Sequence, residues 1–184
     1  MNTFDYHAPD TLGEAKSLLR RLGDATLMSG ATSLVLLMKQ GLVRPEHVVS
    51  LRRVRELHGI TRDPDGALRL GAMTTLREAE LSPLVREHCS ALADAFRAVA
   101  TVRIRNQATV GGALAHADPA QDPPVMLTAL DADVVVASEG RHDALEPIDG
   151  FFLDVLATAL GATELIAGVL VPPAPAGARS ASAR

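Results

Sequence analysis

Cysteine is nearly absent from the chain: Cys89 is the only one in 184 residues. An intrachain disulfide is therefore excluded, and so is an iron–sulfur cluster ligated by this chain's cysteines. Tryptophan is missing and aromatic residues amount to 3%, which leaves little surface on which nucleic-acid bases could stack. An excess of basic charge is lacking too. Lys and Arg number 18 against 22 Asp and Glu, a formal net charge of −4, so no long-range attraction to nucleic acid or to an anionic membrane is expected. A local anion site stays open. No apolar run approaches the roughly 20 residues that span a bilayer. The opening MNTFDYHAPD has neither the basic nor the apolar region of a signal peptide. The expectation is a cytoplasmic chain with no membrane insertion and no nucleic-acid partner.

What the sequence does have is aliphatic. Hydrophobic residues make up 47%, mostly Ala, Leu and Val, enough for one compact domain with two lobes. Phe4-Asp5-Tyr6 alternates as a short edge strand would. Thr11 and Glu14 have the spacing of a capping box. Leu12, Ala15, Leu18, Leu19 and Leu22 follow at helical spacing, and Gly23 supplies a stop. Ala25 to Met28 suits a buried strand, Leu34 to Met38 a helix, and Val48 to Leu51 another strand. Beyond, Asp63-Pro64-Asp65-Gly66 has hairpin turn chemistry. Thr75 to Leu81 and Ser82 to Val99 look helical, and Pro123-Pro124 opens a helix. Asp133 to Ser138 is a β-branched strand, Phe151-Phe152 begins an apolar helical segment, and Leu165 to Val171 closes as a strand. The fold class is α+β, with lobes over residues 1–55 and 56–172 and a disordered Pro-, Ala- and Ser-rich tail over 173–184.

Two segments can bring bare backbone to a ligand. Ser29, Gly30, Ala31, Thr32 and Ser33 follow a strand and precede a helix, offering unobstructed N–H groups, three hydroxyls and the positive end of a helix dipole. The same residues also read as a helix cap with no ligand. In the second segment, Thr109 to Pro119, Gly111 and Gly112 permit a nest of backbone donors. There His116, Asp118 and Asp122 are candidates to bond ribose hydroxyls or ring edges. Equally, Gly-Gly reads as an ordinary turn, Asp118-Pro119 as turn punctuation and Asp122 as a cap. No second histidine stands at ligand spacing from His116, which excludes an obvious metal site. There is no G-x-S-x-G elbow, and no G-x-G-x-x-G fingerprint follows a strand. Cys89 reads as core rather than nucleophile. Arg103 and Arg105 read either as support for the second loop or as a solvated strand face.

In order along the chain, Phe4-Asp5-Tyr6-His7-Ala8-Pro9, Ser29-Gly30-Ala31-Thr32-Ser33-Leu34, Leu70-Gly71-Ala72-Met73-Thr74-Thr75, Ile104 to Gly112, and His116-Ala117-Asp118-Pro119 resemble landmarks of one family. It comprises the FAD-binding medium subunits and domains of molybdenum hydroxylases, the xanthine and carbon monoxide dehydrogenase type. The resemblance implies a two-lobed FAD-binding fold of the vanillyl-alcohol oxidase (PCMH) type, with FAD between the lobes. It implies that Leu27, Met28, Ser29, Gly30, Ala31, Thr32, Ser33 and Leu34, with Ala108, Thr109, Gly111, Gly112 and Ala113, wrap the diphosphate and flavin side. His116, Asp118 and Asp122 would contact the sugar or diphosphate region, and Ile166 would lie against the flavin ring. Ala31 replaces the usual second glycine of the first loop, and Ala113 stands where Asn or Ser is common. Family members continue with a C-terminal domain past the stretch that Val171-Pro172 matches.

The implied role is an electron-transfer subunit that takes electrons from iron–sulfur partners and passes them through FAD to an acceptor, without a catalytic acid, base or nucleophile. Its implied partners are a molybdenum-binding large subunit and a 2Fe-2S small subunit. Two alternatives are a free-standing FAD-dependent oxidoreductase and a cofactor-free binding or scaffold protein on the same fold.

Overall fold

The computed structural model describes residues 3–140 and 143–174. Most of the expected tail, from residue 175, lies outside the described residues. The first sheet is parallel, with strands β1 (Asp5–His7), β2 (Ala25–Met28) and β3 (His47–Ser50) in the order β1-β3-β2. Val48 and Val49 make β3 the buried centre, as expected of a parallel strand covered on both faces. β2 was expected to be buried, but it is an edge strand and only half-buried.

Helix α1 (Leu12–Leu22) starts where Thr11 Oγ1 accepts from Glu14 N at 3.2 Å. Glu14 reaches back to Asp10 N at 2.8 Å, one residue earlier than a capping box places it, and Glu56 accepts from Leu12 N. Such caps are worth about 1 kcal/mol. Gly23, at φ +71°, ends the helix by donating to Leu19 O. Helix α2 (Leu34–Gln40) follows the loop after β2.

The second sheet joins β4 (Ile60–Arg62), β5 (Leu68–Gly71), β6 (Asp133–Ser138), β7 (Ala144–Pro147) and β10 (Glu164–Val171). It is antiparallel in the order β4-β5-β10-β6-β7. Helices α3 (Leu76–Leu81), α4 (Pro83–His88), α5 (Ser90–Ala98), α6 (Val102–Arg105), α7 (Val110–His116) and α8 (Asp122–Ala129) connect β5 to β6. A core of Leu92, Phe96, Leu114, Leu127, Val134, Ile166 and Val169 lies between the helices and one sheet face. Cys89 is buried between α4 and α5.

Neighbouring strand residues point to opposite faces, and this fuses the two sheets. Ile166 and Val136 enter the helical core, while Leu165 and Ala137 face the other way. There they pack with Ala15 and Leu19 of α1, with Leu51, Val54 and Leu57 of the connecting segment, and with Met73. Each buried leucine in this seam contributes roughly 1.5–3 kcal/mol. Arg20 and Ser17 of α1 also both reach Glu139 at the end of β6.

Other segments differ from the sequence reading: the helix expected over Ser82 to Val99 is split into α4 and α5 by an extended Cys89. Phe151-Phe152 opens no helix: β8 (Phe152–Asp154) and β9 (Ala157–Thr158) form a hairpin that turns at Leu156, φ +59°. Only Phe151 of its apolar run is fully buried, while Leu153, Val155 and Leu156 are exposed, so no helical face existed to bury. Arg103 and Arg105 lie in α6 rather than in a strand, because Thr101 Oγ1 caps Ile104 N. The small-residue stretch after Ala108 is partly helical, as α7. Among the described residues no helix is long and apolar enough to cross a membrane.

α3 and α6 are tied together by charge. Glu80 accepts from Arg77 Nη1 at 2.7 Å and from Arg105 Nε at 2.9 Å, with Glu80 and Arg105 both buried. Burial alone would raise the Glu80 carboxyl pKa, but bonds and charge from the two guanidiniums outweigh it and hold the pKa below the usual carboxylate range. The stabilisation is therefore complete above that range and is lost as pH falls through the depressed folded value. Glu80→Gln should destabilise the chain by about 3 kcal/mol at neutral pH. In urea unfolding at descending pH, the gap to the parent chain should narrow; a gap that does not change with pH would show that the ion pair is not its source.

Candidate cofactor-binding site

The loop after β2, the start of α7, the end of α5 and the centre of β10 surround a cavity of about 560 Å³. Its first wall is Leu27 and the run from Ser29 through Ala31 and Thr32 to Ser33 and Leu34. Among the described residues, no protein oxygen accepts from the N–H groups of Gly30, Ala31, Thr32 or Ser33, and Ser33 makes no side-chain cap bond. Four successive donors without protein acceptors border the cavity, and polar backbone is seldom left so unless it meets water or a ligand.

Gly30 is glycine for a packing reason. A Cβ there would lie 2.0 Å from the Gln107 carbonyl oxygen and 2.9 Å from Ala108 Cα. The first-sheet loop thus rests directly on the backbone that leads into α7. Ala31 has φ +60°, a left-handed conformation that strains any residue with a Cβ. The sequence signalled this only as a departure from the family's glycine.

The second wall contains Ala108, Thr109, Gly111, Gly112 and Ala113. The expected nest of free donors at Gly111-Gly112 is not there. Gly111 N donates to Ala72 O at 2.9 Å, and Gly112 N to Thr109 Oγ1 at 3.1 Å. Nor is the pair a turn, since both glycines sit in the first turn of α7. Their function is close approach: a Cβ on Gly111 would meet Ala72 Cβ at 2.6 Å, and one on Gly112 would meet Ser29 Oγ at 2.6 Å. Val110 N also donates to Thr74 O, and Leu76 N to Ala108 O. The segment Ala72 to Leu76, read from sequence as part of a family landmark running into a helix, is thereby joined to this wall.

His116 and Asp122 border the cavity from the end of α7 and the start of α8, and Ile166 lines it from β10. Met28 and Asp118 do not line it. Met28 follows Leu27 on β2 and so faces the other side of the strand, while Asp118 Oδ1 accepts from Ala120 N at 2.9 Å in a local turn. The sequence reading missed Ala98, Val99, Ala100 and Ile104, which also line the cavity. Ala98 and Val99 read as the end of a helix, and no residue type marked the turn. Among the described lining residues, His116 and Asp122 are the only titratable side chains, and none is Lys or Arg. An anionic ligand here would be met by backbone N–H groups, while the remaining walls suit a flat apolar group.

An apolar cleft in an α+β chain, with uncommitted backbone donors along one side, has the lining of a site for a nucleotide cofactor. The chain belongs to the family described as the FAD binding domain in molybdopterin dehydrogenase, which residues 2–174 match. FAD is therefore its cofactor, and the free donors and aliphatic walls fit a diphosphate joined to a flat ring. The chain is 39% identical over 171 residues to the carbon monoxide dehydrogenase medium chain of Hydrogenophaga pseudoflava, covering 92% of this chain and 58% of the relative. It is 34% identical to the 6-hydroxypseudooxynicotine dehydrogenase complex subunit alpha of Paenarthrobacter nicotinovorans, covering 97% of this chain and 60% of that one. Among solved structures, carbon monoxide dehydrogenase from H. pseudoflava superposes with a TM-score of 0.91 at 37% identity over 96% of this chain and 61% of that one. Quinoline 2-oxidoreductase from Pseudomonas putida 86 gives 0.90 at 32% identity, covering 95% and 60%. The two-lobed FAD-binding fold implied by the sequence is the fold observed, and the chain spans 58% to 60% of these curated relatives' length.

Two substitutions test the first loop. Ala31→Gly should raise unfolding stability by about 1 kcal/mol by removing the left-handed strain. Gly30→Ala should lower it by on the order of 3 kcal/mol, because backbone must move to admit the methyl group. If urea unfolding reversed the sign for Gly30→Ala, the close contact between this loop and the Gln107–Ala108 backbone would be wrong; if it reversed the sign for Ala31→Gly, the left-handed strain at Ala31 would be.

Proposed function

We propose that the chain is the FAD-binding, electron-transferring part of a molybdenum-containing dehydrogenase, an oxidoreductase component that receives electrons from a 2Fe-2S small subunit. A molybdenum-binding large subunit is its other partner, and the assembly is cytoplasmic. The observation that carries the reading is the row of N–H groups from Gly30 to Ser33 that find no acceptor among the described residues, on a cavity whose described lining holds no Lys or Arg.

When bound, FAD supplies the redox chemistry, accepting electrons and handing them to an acceptor. The chain's own residues bind and orient it. The N–H groups of Gly30 to Ser33 hold the diphosphate, which a dry, preorganised set of donors can do without a salt bridge. His116 and Asp122 bond the sugar region. Leu27, Leu34, Ala108, Ala113 and Ile166 exclude water around the flavin, and Thr109 with Gly111 and Gly112 keeps the facing backbone close enough to do so. Partner subunits are supported by the relatives themselves, which are named as a medium chain and as a subunit of a complex. Their names span carbon monoxide, glyceraldehyde and caffeine dehydrogenases, so substrate choice is assigned to the large subunit rather than to this domain.

The reading is tested by an absorbance spectrum of the purified chain, followed by titration with FAD. Flavin bands or saturable binding are expected. Thr32→Asp, which sets a carboxylate among the free donors, should weaken binding at least about tenfold, or 1.4 kcal/mol, with unfolding stability little changed. Absence of saturable binding by the unaltered chain would defeat the proposal. Co-purification with molybdenum and 2Fe-2S subunits tests the partners separately.

A further inference from the structure

The geometry points to Arg105 as a positioning residue for the cleft: its buried guanidinium holds the Val99–Ala100 turn in the shape in which it lines the cavity. The inference rests on the proposed FAD reading. Arg105 donates through Nε to Glu80 Oε2 at 2.9 Å and through Nη1 to Val99 O at 2.7 Å and Ala100 O at 3.1 Å. Glu80 is fixed in turn by Arg77, at 2.7 Å on its other oxygen.

Stability alone does not explain this arrangement. A buried ion pair is commonly no more stabilising than apolar side chains of the same volume, because both charges lose their hydration. What an apolar side chain cannot do is donate to two consecutive carbonyls. A guanidinium can: both carbonyls accept from its Nη1, and because Nε lies in the same rigid plane, the bond from Nε to Glu80 fixes where Nη1 points. The turn it holds needs such a device. Ala100 has φ +42°, a conformation that a residue with a Cβ keeps only when its surroundings enforce it. Ala98, Val99 and Ala100 all border the cavity, as does Ile104, while the adjacent Arg105 of the same short helix runs back into the protein. Without the guanidinium, two carbonyls lose their donor, Ala100 relaxes toward negative φ, and the wall shifts.

The test is FAD titration of the full chain followed by fluorescence, with the visible spectrum of the bound flavin as a second readout. Arg105→Gln should raise Kd at least about tenfold and move the bound flavin's bands toward those of free flavin. Val134→Ala, in the sheet core and not among the residues that line the cavity, controls for general loss of stability and should leave Kd within about twofold. If Arg105→Gln does not fold, Arg105→Lys keeps the charge beside Glu80 but has one freely rotating nitrogen in place of the Nε and Nη1 pair, so Glu80 can no longer fix the direction in which the carbonyls are met, and it should show the same rise. Variants of Arg105 that match the parent in Kd and spectrum, or that change them no more than Val134→Ala, would overturn the assignment. A parent chain that binds no FAD would remove the functional reading and this inference with it, whereas normal parent binding with unaffected Arg105 variants removes only the latter.

Discussion

The missing side chain at Gly30 is the contact on which the arrangement of the site depends. With no Cβ in the way, the loop leaving the first sheet lies on the backbone at Gln107 and Ala108, and Gly112 repeats the device against Ser29. At Gly30 the loop and the segment leading into α7 thus meet main chain to main chain, and at Gly112 the Ser29 side chain packs onto bare backbone. Behind them, the seam of Leu19, Leu51, Val54, Leu57, Met73 and Leu165 supplies the apolar burial that keeps the sheets together. The seam is non-directional and would tolerate sliding; the backbone contact would not, because interiors this closely packed have few alternatives of similar energy. The cavity's shape follows from the second more than from the first.

The two glycine-bearing segments look alike in sequence but do different work. At Gly30 to Ser33 the backbone donors are uncommitted, whereas at Gly111 and Gly112 they are bonded to Ala72 and Thr109. One wall therefore offers polarity and the other offers shape. With no Lys or Arg among the described lining residues, a dinucleotide's negative charge would be balanced by dipoles rather than by a counter-ion. Such donors need no side-chain ordering when the ligand arrives, so less conformational entropy is lost on binding than with flexible basic side chains.

How far the sequence revealed this depended on which physical signal each part carried. The strand–helix alternation of the first 50 residues was legible because α1 has both a cap and a spaced apolar face, and because Val48-Val49 reads as a buried strand. The Ser29 to Leu34 loop stood out as small residues between a strand and a helix, but the same pattern suits a helix cap with no ligand, and only the ordered family landmarks favoured the binding reading. The role of Gly111-Gly112 was not, since a glycine required for packing and a glycine required for a nest look the same in one dimension. Phe151 to Leu160 misled because apolar content suggested a helix, while the structure buries Phe151 and turns the rest into a hairpin. Ala98 to Ala100 gave no warning, because alanine is the strongest helix former and a left-handed alanine carries no compositional mark.

Left-handed alanines recur around the cleft. Ala31, Ala100 and Ala117 all have positive φ, at +60°, +42° and +49°; the first two line the cavity and the third follows His116, which does. Each left-handed alanine costs about 1–2 kcal/mol relative to relaxed backbone, so three at one site need local compensation. In each case the strained residue's own carbonyl is held: Ala31 O accepts from Val35 N, Ala117 O from Leu156 N, and Ala100 O from Arg105. The donors come from three places, the first turn of a helix, a hairpin and a buried guanidinium, so no single element imposes the geometry. Alanine also presents the smallest side chain that still restricts the backbone, leaving the cavity open where a larger residue would fill it. Taken together, these bonds make the cleft a shape enforced from outside its own walls. A substitution remote from the cavity, at Arg105 or in the β8–β9 hairpin, can therefore alter the site without touching what it binds.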